Sequence, residues 1–335
     1  MSIKAKRRLR KTIMLVVLVV IAAIYIYPVF LMFMNSFKPF GEIVADVLAL
    51  PKSFDLSNYT YVIKKMDYLS LFRNNVIITV IGIVGIVLFS SMAAYILDRR
   101  RGTYSKVAYF IITTPMLIPF QTIMITLLKS MNVLHLSGSK IGLGIQYWGF
   151  GIPMATFIFY NFMKTIPKEL DESARIDGAS TFRTYRSIIF PLLKSVTVTV
   201  TVLDVMWIWN DFLLPLLMVN SNNRTKTLVL AAYTFVGQMN TKWNYALTAM
   251  VLTVVPSIIV FVLLQKYIVE GVVAHLLQTV VQQMTAHRQK RQQKLQMTAL
   301  LKQQKKQHLQ THHRMNRVRS ICSSVLRNML MQLVS

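Results

Sequence analysis

The densest grouping of ionisable side chains lies at residues 164–187. Four carboxylates, Glu169, Asp171, Glu172 and Asp177, are interleaved there with five basic residues, Lys164, Lys168, Arg175, Arg183 and Arg186. No nucleophile–base pair accompanies them, so covalent catalysis is not expected. A metal centre is not expected either: His135 is the only histidine before residue 275, with no partner ligand nearby, and Cys322 is the only cysteine. The chemistry left to such a segment is recognition, with alternating charges presented to another surface. A second polar group, Asp204, Asn210 and Asp211, sits beside Trp207 and Trp209. Asp204 falls inside an apolar run, where an ionisable side chain is costly and by default suggests function. A carboxylate there suits a solute pathway or gate; the alternative is an acid near the outer interface, paired with a neighbouring helix. Asn210 and Asp211 fall at the boundary, where tryptophans commonly anchor the interface.

The local elements that must position the first group follow from residue type. Pro167 suits the opening of a helix, and the acids after it complement the positive end of the helix dipole. Ser173 and Ala174 are small and permit close approach of another surface. Gly178 can adopt positive φ and turn the chain sharply. Ser180 is a suitable N-cap for a second short helix leading into the next apolar run. The expectation is a helix–turn–helix lying along a membrane face.

The membrane is implied by composition. Of 335 residues, 54% are hydrophobic and only 15% charged, with a mean hydropathy of +0.48; a soluble domain carries roughly 25% charged residues. Uncharged apolar runs at 13–34, 76–97, 107–128, 141–163 and 246–265 are each long enough to cross a bilayer core. A sixth, at about 190–209, contains Lys194 near one end, where its ammonium can snorkel to the surface, and Asp204. The first run is too long for a signal-peptide core and no small-residue cleavage site follows it, so it is expected to be retained. The alternating valines and threonines of 196–202 mimic a strand. A lone strand in a bilayer leaves its backbone unpaired, so a helix with threonines bonded one turn back is expected instead. Pro28, Pro115, Pro119, Pro153 and Pro256 fall within the runs and tend to kink them.

Basic residues set the orientation. The segments 1–12, 98–106 and 164–187 carry 15 Lys and Arg in 45 positions, against 9 in 85 for 35–71, 129–140 and 210–245. Positive-inside topology therefore predicts an all-α membrane protein of six helices with both termini in the cytoplasm. Domains are expected as a basic N-terminus at 1–12, a six-helix region at 13–274 and a tail at 275–335. The net charge of +26 is distributed by topology and calls for no nucleic-acid partner.

Glu172, Ser173 and Ala174, then Gly178, Ile188 and Pro191, have the spacing of the EAA loop of ATP-binding-cassette import permeases, with Ser173 and Phe190 as the two departures. Residues 10–274 resemble the carbohydrate-importer branch of that family, supported by the stretches 35–39, 50–59, 207–215 and 265–271. The resemblance implies that the loop at 172–191 forms a coupling helix between the fourth and fifth spans. Glu172, Ser173, Ala174 and Gly178 would then make the docking contact, with Asp177, Ile188 and Pro191 completing the loop. It further implies a homologous second permease subunit, two ATPase subunits that bind the ATP, an extracytoplasmic solute-binding protein and residence in a bacterial cytoplasmic membrane among lipid. No cofactor is expected in this chain, which lacks the Gly-x4-Gly-Lys-Ser/Thr phosphate loop. The implied cargo is a sugar or oligosaccharide. A polyol or glycerol phosphate is a rival, as is an ion-coupled secondary transporter, which would show inverted repeats and more intramembrane carboxylates.

The resemblance stops before the tail. Residues 275–335 hold 12 Gln, 11 Lys and Arg and five of the six histidines, but no acid, glycine, proline or aromatic residue. A lipid-bound basic helix, a regulatory or nucleic-acid-binding extension and translation in a shifted frame all fit, and the abruptness of the break favours the last.

Overall fold

The structure, a computed structural model, describes residues 3–100, 102–236 and 241–265; the expectations for 275–335 lie outside them. Every regular element among the described residues is helical. The chain opens with α1 (Ile3–Asn35), which contains Pro28, followed by short α2 (Phe40–Ala45) and α3 (Ser57–Met66). Next comes the long α4 (Tyr68–Arg99). α5 (Thr103–Thr113) passes through a 3-10 turn at Thr114–Leu117 into α6 (Phe120–Val133). After α7 (Lys140–Met163) the chain forms α8 (Glu169–Ile176) and α9 (Thr181–Thr184). A π-turn at Tyr185–Ile189 leads into α10 (Phe190–Leu192) and then α11 (Lys194–Asn210). α12 (Leu213–Val219), α13 (Leu228–Ala232) and α14 (Trp243–Gln265) complete the described chain.

By length and composition, Arg7–Asn35, α4 and α14 can cross a membrane, and the number rises to five if each of two bent pairs is one span. The bends fall where the sequence interrupts the backbone ladder. The run expected at 107–128 breaks by 102° between Thr103–Leu117 and Phe120–Val133. Pro115 sits at the start of its 3-10 turn and Pro119 caps α6; neither has an N–H to donate. The run expected at 190–209 bends by 76° between Thr181–Leu192 and α11, just after the π-turn and Pro191. The 196–202 alternation is helical as expected, and Thr199 Oγ1 donates to the Ser195 carbonyl at 3.2 Å.

The centre of the bundle is α4 packed on α7. Glycines bring the two backbones together: Gly85 lies under the Trp148 indole, Gly144 against Ile81 and Gly151 against Ile86. Trp148 Nε1 also donates to the Ile81 carbonyl at 2.8 Å. Small residues replace hydrophobic force here, because lipid tails compete equally for apolar side chains. These contacts ascend together along both helices, so α4 and α7 run parallel. The intervening α5–α6 therefore has to carry the chain back to the starting end.

Two ends result. At one, Asn74 Nδ2 donates to the carbonyls of Arg224 and Lys226, and Gly138 N to that of Met218. At the other, the last turns of α4 meet the segment 166–193. The basic-rich stretch that ends α4 thus meets the basic-rich segment after α7.

Candidate functional site

The loop after α7 is built by local rules. α8 starts at Glu169, two residues after Pro167, with Glu169, Asp171 and Glu172 in its first turn. It ends in a Schellman motif: Gly178 N donates to the Arg175 carbonyl and Ala179 N to that of Ala174. Gly178 has φ +77°, the left-handed conformation expected of it. Ser180 caps α9 by accepting from Arg183 N at 3.3 Å. One face of α8, Asp171 and Ala174, is buried, while Glu172, Ser173, Asp177 and Gly178 are exposed. Ile176 is 87% and Phe182 59% exposed, so apolar and acidic groups share the outward surface. Ile188 packs against the main core and Pro191 lies exposed before the bend.

Sequence reasoning missed what holds the buried face. Asp171 accepts from the Tyr95 hydroxyl at 2.6 Å through Oδ1 and from Arg99 Nε at 2.8 Å through Oδ2. Arg99 also pairs with Asp98 at 2.7 Å and reaches the Ile166 carbonyl, while Lys168 Nζ donates to the Asp98 carbonyl. One turn back, Ser91 and Tyr185 share a 2.7 Å hydroxyl–hydroxyl hydrogen bond. Separations of 67 or more residues between α4 and this segment leave no local sign of the bonds that join them.

The second group is placed differently residue by residue. Asp204 Oδ2 is buried without a hydrogen-bond partner among the described residues. Asn210 is exposed and its amide donates one turn back to the Met206 carbonyl. Asp211 is tied down: Oδ2 accepts from Tyr147 at 2.9 Å and Oδ1 from Leu213 N at 3.1 Å. Trp207 meets Tyr147 edge to face, and Trp209 Nε1 donates to the Thr253 carbonyl. Gln146, not singled out by sequence, is 4% exposed with neither amide atom partnered among the described residues.

The stretch 35–39 forms a buried knot. Asn58 Nδ2 donates to the carbonyls of Ser36 and Lys38, and its Oδ1 accepts from Asn244; Thr248 also donates to the Ser36 carbonyl. This ties the end of α1 to α3 and α14. Lys38 is fully buried, with its ammonium donating to the Asp46 carbonyl at 3.1 Å.

Residues 86–273 match the family described as the binding-protein-dependent transport system inner membrane component. The chain is 40% identical over 256 residues to the probable starch degradation products transport system permease protein AmyC of Thermoanaerobacterium thermosulfurigenes, covering 76% of this chain and 93% of that protein. It is 33% identical to the multiple sugar-binding transport system permease protein MsmG of Streptococcus mutans, again over 76% and 93% of the two. A crystal structure of a bacterial ABC transporter that imports the acidic polysaccharide alginate contains a chain of the same fold. Its TM-score is 0.68 at 24% identity, covering 78% of this chain and 97% of that one. With that family match over more than half its length, this chain belongs to the binding-protein-dependent transport system inner membrane components, as a multi-pass protein of the inner membrane.

Proposed function

We propose that the chain is a permease subunit of an ATP-driven importer of sugars or oligosaccharides. The observation that carries this is α8: its buried face is bonded into the bundle while Glu172, Ser173, Ile176 and Asp177 project away from it. A short helix anchored on one side and open on the other is a docking element. The relatives named for starch degradation products and multiple sugars support the cargo class.

In this reading α1, α4, the bent α5–α6 pair, α7, the bent α9–α11 pair and α14 make six crossings, with both ends of the 13–274 region cytoplasmic. The basic-residue asymmetry supports that orientation. The apolar window of α1 is unburied, which suits lipid and a homologous second permease. One of two ATPase subunits docks on the 172–191 loop, and the two carry the ATP; a solute-binding protein delivers cargo at the opposite end. Asp204, Asn210 and Asp211, together with Gln146, mark the polar part of the path. Asp204 and Gln146 retain free hydrogen-bonding capacity for hydroxyl groups, while Asp211 fixes the end of α11. Transport resides in 13–274, and the family match ends at residue 273.

Co-purification tests the proposal. A stoichiometric ATPase subunit is expected in detergent extracts of the wild type and is lost with Gly178→Glu. Identical pull-downs from both proteins reject the coupling-loop assignment.

A further inference from the structure

Ser91, Tyr95 and Arg99 recur at four-residue intervals, so they stand in one row along the last turns of α4. Each meets the segment that follows α7. Ser91 bonds Tyr185 in the π-turn, while Tyr95 and Arg99 bond Asp171 in α8. The side chains of Arg99 and Asp171 are 12% and 10% exposed, so the ion pair is shielded from water and held by charge-assisted bonds. Both arms of the segment 169–191 are therefore bonded to the same face of one helix.

The far end of α4 is bonded too. Asn74 donates to the carbonyls of Arg224 and Lys226. Asn75 accepts from Leu228 N at 2.9 Å and donates to the Trp209 carbonyl. α4 is unbroken over its 32 residues, and the stretch from Asn75 to Arg99 spans about 36 Å at 1.5 Å per residue. Its glycine-mediated packing on α7 stiffens it.

We propose that α4 is a push-rod, joined at Arg99–Asp171 to the docking loop and at Asn74–Asn75 to the 209–228 segment, so that movement of the loop reaches the opposite face of the membrane. Arg99, Asp171 and Asn75 are positioning residues in this scheme. The outward face of α8 makes the docking contact, and the pins on its inner face convert docking into movement. The inference rests on the permease reading.

The test uses the complete transporter reconstituted in proteoliposomes with its solute-binding protein and a maltodextrin mixture. Arg99→Gln and Asp171→Asn are expected to keep the ATPase subunit bound and basal ATP hydrolysis unchanged. Stimulation of hydrolysis by the loaded binding protein is expected to fall about ten-fold, within the usual range of coupling between sites. Asn75→Ala at the other end should do the same, and its combination with Arg99→Gln should be no worse than either alone, since both interrupt one path. The exchange Arg99→Asp with Asp171→Arg restores the pair beside Asp98 and should recover part of the stimulation. Should Arg99→Gln fail to fold, Tyr95→Phe removes one bond to Asp171 and keeps the ion pair, with a smaller fall expected. Wild-type stimulation in these variants, or additive losses from the two ends, overturns the push-rod. Absence of an ATPase subunit from the wild-type complex instead overturns the permease reading beneath it.

Discussion

The hydroxyl of Tyr147, fully buried in α7, donates at 2.9 Å to the carboxylate of Asp211, the residue at which α11 ends. The second oxygen of Asp211 accepts from Leu213 N, at the start of α12. One side chain thus holds the corner between two helices against a third. Removing the donor leaves a half-buried carboxylate oxygen short of a partner, at a cost of about 1–3 kcal/mol. Tyr147→Phe is expected to lower the melting temperature in detergent. Asp211→Asn, which retains an acceptor oxygen, should lower it less. Equal melting of Tyr147→Phe and wild type would show that the corner is held by packing alone.

The outward face of α8 presents Ile176, and Phe182 follows in α9; both are exposed. Ile176→Asp is expected to abolish capture of the ATPase subunit without changing thermal stability, because the side chain touches little of its own chain. Ala174→Leu acts from the other side. Ala174 is buried against the bundle, and overpacking there costs about 1–3 kcal/mol, so this variant should lose stability first. A pull-down and a melting curve on the same preparations separate the two effects.

Gln146 and Asp204 Oδ2 are among several interior polar groups, with Thr79 and Thr156, that have no hydrogen-bond partner among the described residues. Replacing a buried, unpartnered amide by an apolar group of similar size is close to neutral or stabilising. Gln146→Leu is therefore expected to melt at or above the wild-type temperature while sugar uptake falls. Undiminished uptake would remove Gln146 from the proposed path.

The knot at the end of α1 separates a polar residue that holds structure from a charge that does not. Asn58 bonds Ser36, Lys38 and Asn244 at once, so Asn58→Ala strands several buried partners and should cost about 2–4 kcal/mol. Lys38 is buried, its ammonium donating to the Asp46 carbonyl. Lys38→Met keeps the apolar stem, removes the desolvated charge, and is expected to be neutral or stabilising. Chemical denaturation of the two variants should move in opposite directions, or only Asn58→Ala should move.

The helix–turn–helix after α7 was largely legible in the sequence because its rules are local. Gly178 takes positive φ because a glycine lacks the Cβ that penalises it, and Ser180 caps because its hydroxyl reaches an amide three residues on. The helical state of 196–202 followed from the need to satisfy backbone groups in a bilayer. Asp171 was legible only as one acid among four. That it is buried while Glu172 beside it is exposed depends on where α4 lies, and residue spacing carries no trace of that. The expected runs at 107–128 and 190–209 also needed correction in shape, since prolines announce a break and not its angle.

The sequence by itself determined the apolar runs, the segregation of basic residues and the 172–191 motif, because hydrophobicity, charge and short-range spacing are properties of the chain. Only the tertiary structure decided which of those residues meet. It parked α4 against α7 on glycines, bent two runs, closed Arg99 onto Asp171 and gave Asp211 to Tyr147 while leaving Asp204 Oδ2 unpaired among the described residues. Those outcomes depend on competition among groups more than 60 residues apart for the same few partners, and that competition is settled by packing.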